Sequence, residues 1–172
     1  MFCDSDDVNI FENELLEDHR DILQSTTILN DPKVFKKKYG LRKLIEIKHK
    51  LERHIYLEEK AVFLYTDLSD KLPKKILDKF TEQHKRLLVE INEAIKHAKT
   101  NKFYELDNFI NISKEHINSE VETIYKGINE CLDKDDRSRI LKLINEDAIL
   151  GYYPLDELRE YIKKVKEKVP RT

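Results

Sequence analysis

The sequence predicts an all-α fold, an up-down-up-down antiparallel four-helix bundle with one or two extra C-terminal helices. Three observations predict it. Only 3 glycines and 4 prolines occur in 172 residues, too few for the many tight turns of a sheet protein. Charged residues make up 38% of the chain and are interspersed with apolar ones. Between a handful of breaks, apolar side chains recur at alternating three- and four-residue steps, the helical period. The length suits one domain with a substantial core.

The first helix carries Leu15, Ile22 and Leu29. NDPKVFKKKYG, Asn30 to Gly40, breaks the pattern; Asp31-Pro32 suits a helix start there and Gly40 a loop residue before the next helix. The second helix carries Leu44, Ile47, Leu51, His54, Glu58, Ala61, Tyr65 and Leu68 on one face. SDKLP follows, with Pro73 suited to the first position of a third helix. That helix carries Leu77, Phe80, Leu87, Ile91, Ala94 and Ala98 and runs to the break TNK. The fourth carries Leu106 and Phe109, with Ile117, Val121, Ile124 and Ile128 broadening its face.

Further breaks at Asp133 to Asp136 and Gly151 to Pro154 leave room for shorter helices near residues 136–149 and 154–168. The last has an apolar stripe of Leu155, Leu158, Ile162, Val165 and Val169, suited to packing across the bundle or to a homodimer or partner contact. The expected division is a bundle over residues 1–133 and a helical extension over 134–172.

Composition excludes several classes. With 32 basic and 34 acidic residues the net charge is −2, so no basic face for nucleic acid is implied. Lys36-Lys37-Lys38 and Lys163-Lys164 read as solvated surface. The acidic start MFCDSDDVNIFENELLED has no apolar signal region, and no apolar run approaches the ~18 residues of a membrane span. Two cysteines without metal-ligand spacing, Cys3 and Cys131, fit a reducing, cytoplasmic setting.

Polar residues interrupt the apolar stripes in one pattern. His19 falls between Leu15 and Ile22, His54 precedes Glu58 by one turn, His84 falls between Phe80 and Leu87, and His116 precedes Glu120 by one turn. His49 and His97 fall off the stripes and are expected to be exposed or at an edge. In an antiparallel hairpin, residues at equal height straddle the turn at about equal sequence distance. The centres of the four groups, 19, 56, 84 and 118, have midpoints at 37.5, 70 and 101. These fall inside the three breaks, which places all four groups in one layer.

Four imidazoles and two carboxylates in one core layer are a liability unless a cation holds them. Imidazole with carboxylate suits Fe, Zn or Mn rather than Mg or Ca. Six side chains exceed the need of one tetrahedral ion and fit two ions bridged by the carboxylates. The i, i+4 spacing puts a terminal and a bridging ligand on one helix face.

The stretches EDHRDIL, HIYLEE, EQHKRLL and EHINSEVE resemble the four ligand helices of the hemerythrin-like, or HHE cation-binding, domain over roughly residues 11–132. The resemblance implies a non-heme di-iron centre with an oxo, hydroxo or water bridge. His19 and His54 would bind one iron, His84 and His116 the other, and Glu58 and Glu120 would bridge them. Activities in this family include reversible dioxygen binding, iron or oxygen sensing, redox and peroxide chemistry, and repair of nitric-oxide-damaged iron centres. The implied partner is a small diatomic ligand or peroxide.

One departure stands out. Oxygen-carrying hemerythrins have HxxxH on the third helix and His-x4-Asp on the fourth, whereas here Leu88 follows His84 at i+4 and the fourth helix has HxxxE. Without a fifth histidine more coordination positions are open, which favours sensing or redox chemistry over oxygen storage. Three rivals stay open: a metal-free polar core, a zinc or manganese site serving structure, and a ferritin-like di-iron oxidase. The last wants Glu-x-x-His on two helices, the reverse order of the motif here. Around the centre Tyr65 is expected either to meet a bound ligand or to fill core, Glu59 and Glu115 to be exposed or to support the ligands, and Ser113 and Thr123 to narrow the fourth helix.

Overall fold

The computed structural model describes residues 5–68, 72–131, 133–150 and 155–168; side chains are described for these except 5–14, 37, 68, 128, 129, 131 and 144–150. Cys3, Val169 and the break at 151–154 lie outside the described residues, as do the side chains of Leu68, Ile128 and Cys131. Every regular element described is helical: α1 (Ser5–Leu29), α2 (Lys37–Leu57), α3 (Leu64–Leu68), α4 (Lys74–Lys99), α5 (Asp107–Glu120), α6 (Lys126–Cys131), α7 (Lys134–Leu150) and α8 (Leu155–Lys168). Two π-helical segments, Glu58–Phe63 and Val121–Tyr125, join α2 to α3 and α5 to α6 without a loop. The fold is bundle-like, with α1 packed on α2, α2 on α4, α4 on α5, and α5 back on α1.

The apolar stripes supply the core. Leu15, Ile22 and Leu29 of α1, Leu44, Ile47 and Leu51 of α2, and the whole α4 stripe from Leu77 to Ala98 are buried. Each large aliphatic or aromatic side chain removed from water in this way contributes roughly 1.5–3 kcal/mol. On α5 and the π segment after it the buried line runs through Phe109, Ile112 and Ser113 to His116, Glu120 and Ile124. Val121, expected inward, is instead 40% exposed, because it stands one residue, or about 100°, off that line.

The turns have local causes. Asp31 and Pro32 do not start a helix: the Asp31 side chain accepts from the Lys33 N–H at 2.8 Å and its carbonyl from Val34 and Phe35, an Asx-type turn. The next helix begins at Lys37, so Gly40 lies within α2 rather than in a loop. A Cβ there would sit 2.6 Å from the Phe35 ring, and Phe35 in turn meets Phe103 edge to face. Pro73 is the residue before α4, not its first. At the end of α4, Asn101 adopts φ 61° while Lys102 and Asn101 donate back to His97 and Ala98, a left-handed helix stop.

Asn30 ties the end of α1 to the start of α5. Its Oδ1 accepts from the Leu106 N–H and its Nδ2 donates to Asp107, both at 2.6 Å. Asp133 and Asp136 exchange side-chain-to-backbone bonds across the first turn of α7. Ile140 of α7 and Leu155 and Leu158 of α8 are buried, and Ile162 and Val165 are half-buried. The described part of the α8 stripe therefore packs within this chain, on α2. Arg159 pairs with Glu59 and Lys166 with Asp67, so α8 runs parallel to the rod formed by α2, its π segment and α3. Among the described residues no helix is long and apolar enough to cross a membrane.

Candidate metal centre

All six residues singled out in the sequence meet. His19 comes from α1, His54 from α2, Glu58 from the head of the first π segment, His84 from α4, and His116 and Glu120 from α5. All are buried, His54 and His84 completely. The four Nε2 atoms converge on the two carboxylates. His54 Nε2 lies 2.9 Å from Glu58 Oε1 and His84 Nε2 3.1 Å from Glu58 Oε2. His19 Nε2 lies 2.7 Å from Glu120 Oε2, and His116 Nε2 3.5 Å from the same oxygen. His19 and His54 bring their Nε2 atoms within 3.0 Å of each other.

Two of the outward nitrogens have their own acceptors. Glu59 accepts from His84 Nδ1 at 3.1 Å, and the Gln83 side-chain carbonyl from His116 Nδ1 at 3.1 Å. Asp18 stands 3.7 Å from His54 Nδ1. Acceptors behind the rings turn Nε2 toward the centre and fix the tautomer, the usual support for metal-binding histidines. Phe63 stacks flat on His84 with centroids 5.6 Å apart, and Phe80 meets His116 edge-on. These rings keep water away from the site.

The π segments explain which side chains line it. Each begins at or just after the glutamate of an HxxxE pair, and a π turn places residue i+5 where i+4 would stand in an α-helix. Phe63, five after Glu58, reaches His84, and Tyr125, five after Glu120, points its hydroxyl at Glu58 Oε1, 3.5 Å away. The same shift rotates Tyr65 off the inward face, where a regular helical period would place it. Tyr65 donates to Asp136 of α7 instead and does not line the centre. Insertions of this kind cluster at functional sites.

Charge is shared unequally between the two glutamates. Burial opposes ionisation of Glu58, but the His54 charge and contacts from His19, His54 and His84 hold its carboxyl well below the usual range. Glu120 is pushed up by burial and by the Glu58 charge. Burial pulls the imidazoles of His54 and His84 down, yet the facing carboxylates outweigh it and raise both to about 9. His116 is pushed well below its ordinary value by burial and by the His84 charge. Without a metal ion, protons on His54 and His84 supply the positive charge that balances Glu58.

Those protons do not satisfy the layer. Among the described residues, the buried side-chain polar atoms lacking a hydrogen-bond partner are His54 Nδ1, Glu58 Oε2, His84 Nε2, Ser113 Oγ, His116 Nε2 and Glu120 Oε1. His84 Nε2 and Glu58 Oε2 are close but not aligned to bond each other. Atoms that converge without bonding one another fit a shared cation. His19, Glu58, His116 and Glu120 each offer one ligand atom, all within 4.8 Å of one another, and this buried group could hold a metal ion. It cuts across the His19–His54 and His84–His116 pairs that the resemblance implies.

The other residues that the sequence places near the centre separate by position. Glu59 is buried and supports His84, whereas Glu115 is exposed and reaches only the Gln83 amide, at 3.4 Å. Thr123 bonds back to the Ser119 carbonyl, a structural role. His49 is exposed, and His97 sits at the edge with Nδ1 on the Glu93 carbonyl. Sequence reasoning misses Asp18, Gln83, Tyr125 and Arg159. The signal for the first two is their place immediately before ligand histidines. No family model matches the chain, and no curated protein or solved structure matches it either.

Proposed function

We propose that the chain is a non-heme di-iron-binding protein of the hemerythrin-like kind, built as an up-down-up-down four-helix bundle. Its centre would bind or react with O2, NO or peroxide, or sense iron or oxygen. The observation that carries this reading is the set of buried, unpaired atoms on Glu58, His84, His116 and Glu120. Each orphaned polar atom costs about 1–3 kcal/mol, so a core that retains four of them in one layer, Glu58 Oε2, His84 Nε2, His116 Nε2 and Glu120 Oε1, has a use for them.

In this reading His19, His54, His84 and His116 supply terminal imidazoles through Nε2, while Glu58 and Glu120 bridge. Glu59 and Gln83 hold two of the rings from behind, and Asp18 stands 3.7 Å behind a third, that of His54. Phe63 and Phe80 exclude water, and the Tyr125 hydroxyl offers a proton beside Glu58 Oε1. Two ferrous ions held there would supply electrons to the small ligand. The ring of helix contacts and the Asn30 clamp between the end of α1 and the start of α5 support the antiparallel bundle. A reducing, cytoplasmic setting suits both ferrous iron and free thiols.

A second reading has its own observation. The tight group of His19, Glu58, His116 and Glu120 has the four ligands of a single tetrahedral structural ion such as zinc. Metal content per chain after iron-replete expression, read with near-ultraviolet absorption, decides between them. About two irons per chain with oxo-to-iron charge-transfer bands support the di-iron centre. One zinc supports the structural site. Folded, helical protein with less than half an equivalent of any metal refutes both.

A further inference from the structure

Glu59 stands apart from the other acceptors behind the histidines. Its Oε1 accepts from His84 Nδ1 at 3.1 Å, and the Arg159 guanidinium of α8 grips it with two bonds, Nε to Oε2 at 3.1 Å and Nη2 to Oε1 at 3.0 Å. Asp18, Gln83 and Glu59 all lie on elements that carry ligands, but among the described residues Glu59 is the one bonded to α8 as well. The path from Arg159 through Glu59 to His84 is therefore a connection from the C-terminal helix to the centre.

We infer that Arg159 is a positioning residue: by gripping Glu59 it keeps His84 turned with Nε2 toward the centre, so that docking of α8 and loading of the centre favour each other. This rests on the metal-binding reading above. The physical case has three parts. Glu59 is almost fully buried, and a buried carboxylate that loses its cation turns outward or rearranges. A two-pronged guanidinium contact fixes direction as well as charge, and Oε1, which it shares with His84, is fixed with it. Finally, among the described residues of α8 only Leu155 and Leu158 are buried, and the Lys166–Asp67 pair at 2.6 Å adds an ionic contact further along. A helix docked through so small a core contact feels the state of a bond it shares with the centre. Coupling of this kind is reciprocal.

The test uses the full chain, with ferrous iron alone as the probe under anaerobic conditions. Chelator competition measures iron affinity for wild type, Arg159→Gln and Arg159→Lys. Hydrogen exchange over residues 155–168 is followed with and without iron, and imidazole nitrogen NMR follows His84 in iron-free protein. Arg159→Gln is expected to weaken iron binding about 10- to 100-fold, and Arg159→Lys, with the charge but not the fork, to fall between. Iron should slow exchange in α8 of the wild type, and the His84 Nδ1–H signal should shift or broaden in Arg159→Gln. Unchanged iron affinity in Arg159→Gln overturns the inference and leaves the metal reading standing, even if α8 itself loosens. Wild type that takes up no iron overturns both.

Discussion

The two glutamates look equivalent in sequence, each one turn after a histidine, yet their surroundings make them unequal in protein stripped of metal. Glu58 lies within 3.5 Å of His19, 2.9 Å of His54 and 3.1 Å of His84. Glu120 meets His19 and His116 only, and the Glu58 charge works against its ionisation. Glu58→Gln keeps the shape and removes the charge that most raises His54. A rise from 6.5 to about 9 in a fully buried imidazole corresponds to about 2–3 kcal/mol of stability at pH 7. The same charge also faces His84, so the two imidazoles share one loss and their effects are not summed. Asp18 and Glu120 also raise His54, so with a urea slope near 2 kcal/mol/M the unfolding midpoint falls by up to about 1 M. Glu120→Gln keeps an acceptor for His19 and removes a repulsion, so its midpoint should move by less than about 0.5 M in either direction. Urea unfolding of chelator-treated protein, followed by far-ultraviolet circular dichroism, measures both. Equal losses for the two variants, or a larger loss for Glu120→Gln, would refute the unequal sharing of charge.

Other expectations follow from the same geometry. In metal-stripped protein the stabilisation from His54 and His84 is complete below pH 6.5 and is lost as pH rises through about 9, because the folded state holds protons that the unfolded chain has released. The melting temperature should therefore fall across that window, while iron occupancy, which needs neutral imidazoles, should rise; a flat melting profile would contradict the first. Glu58→Ala and Glu120→Ala should each lose metal, measured by elemental analysis, whereas His49→Ala and His97→Ala should retain it; full retention by the glutamate variants would sink the bridging assignment. Gly40→Ala forces a methyl against the Phe35 ring, 2.6 Å away, and should cost about 1–3 kcal/mol in a urea melt, with metal content unchanged.

Much of the site is legible in the sequence because helical periodicity is a local property. His19, His54, Glu58, His84, His116 and Glu120 stand out by their positions on apolar stripes, and the three breaks put them at one height. Tyr65 and Val121 are misplaced for different reasons. Tyr65 lies past a π segment, whose rotation breaks the strict helical period, whereas Val121 stands one residue off the buried line by that period itself. Gly40 reads as a loop signal, although its smallness makes room for Phe35 inside a helix.

The support behind the histidines shows where the sequence stops. Asp18, Glu59 and Gln83 each adjoin a ligand in the chain, so polar acceptors are visible beside the site. None serves a ligand it adjoins: Asp18 faces His54, Gln83 serves His116, and Glu59, next to Glu58, serves His84. Arg159 carries no local signal at all, being 100 residues from Glu59. The sequence by itself determined where the long helices lie, most of their inward faces and the six polar residues those faces carry, because each depends on neighbours within a turn or two. The tertiary structure alone decided which acceptor faces which ring and that α8 reaches the centre. Those pairings are set by how separate helices lie against one another, and no local period encodes that.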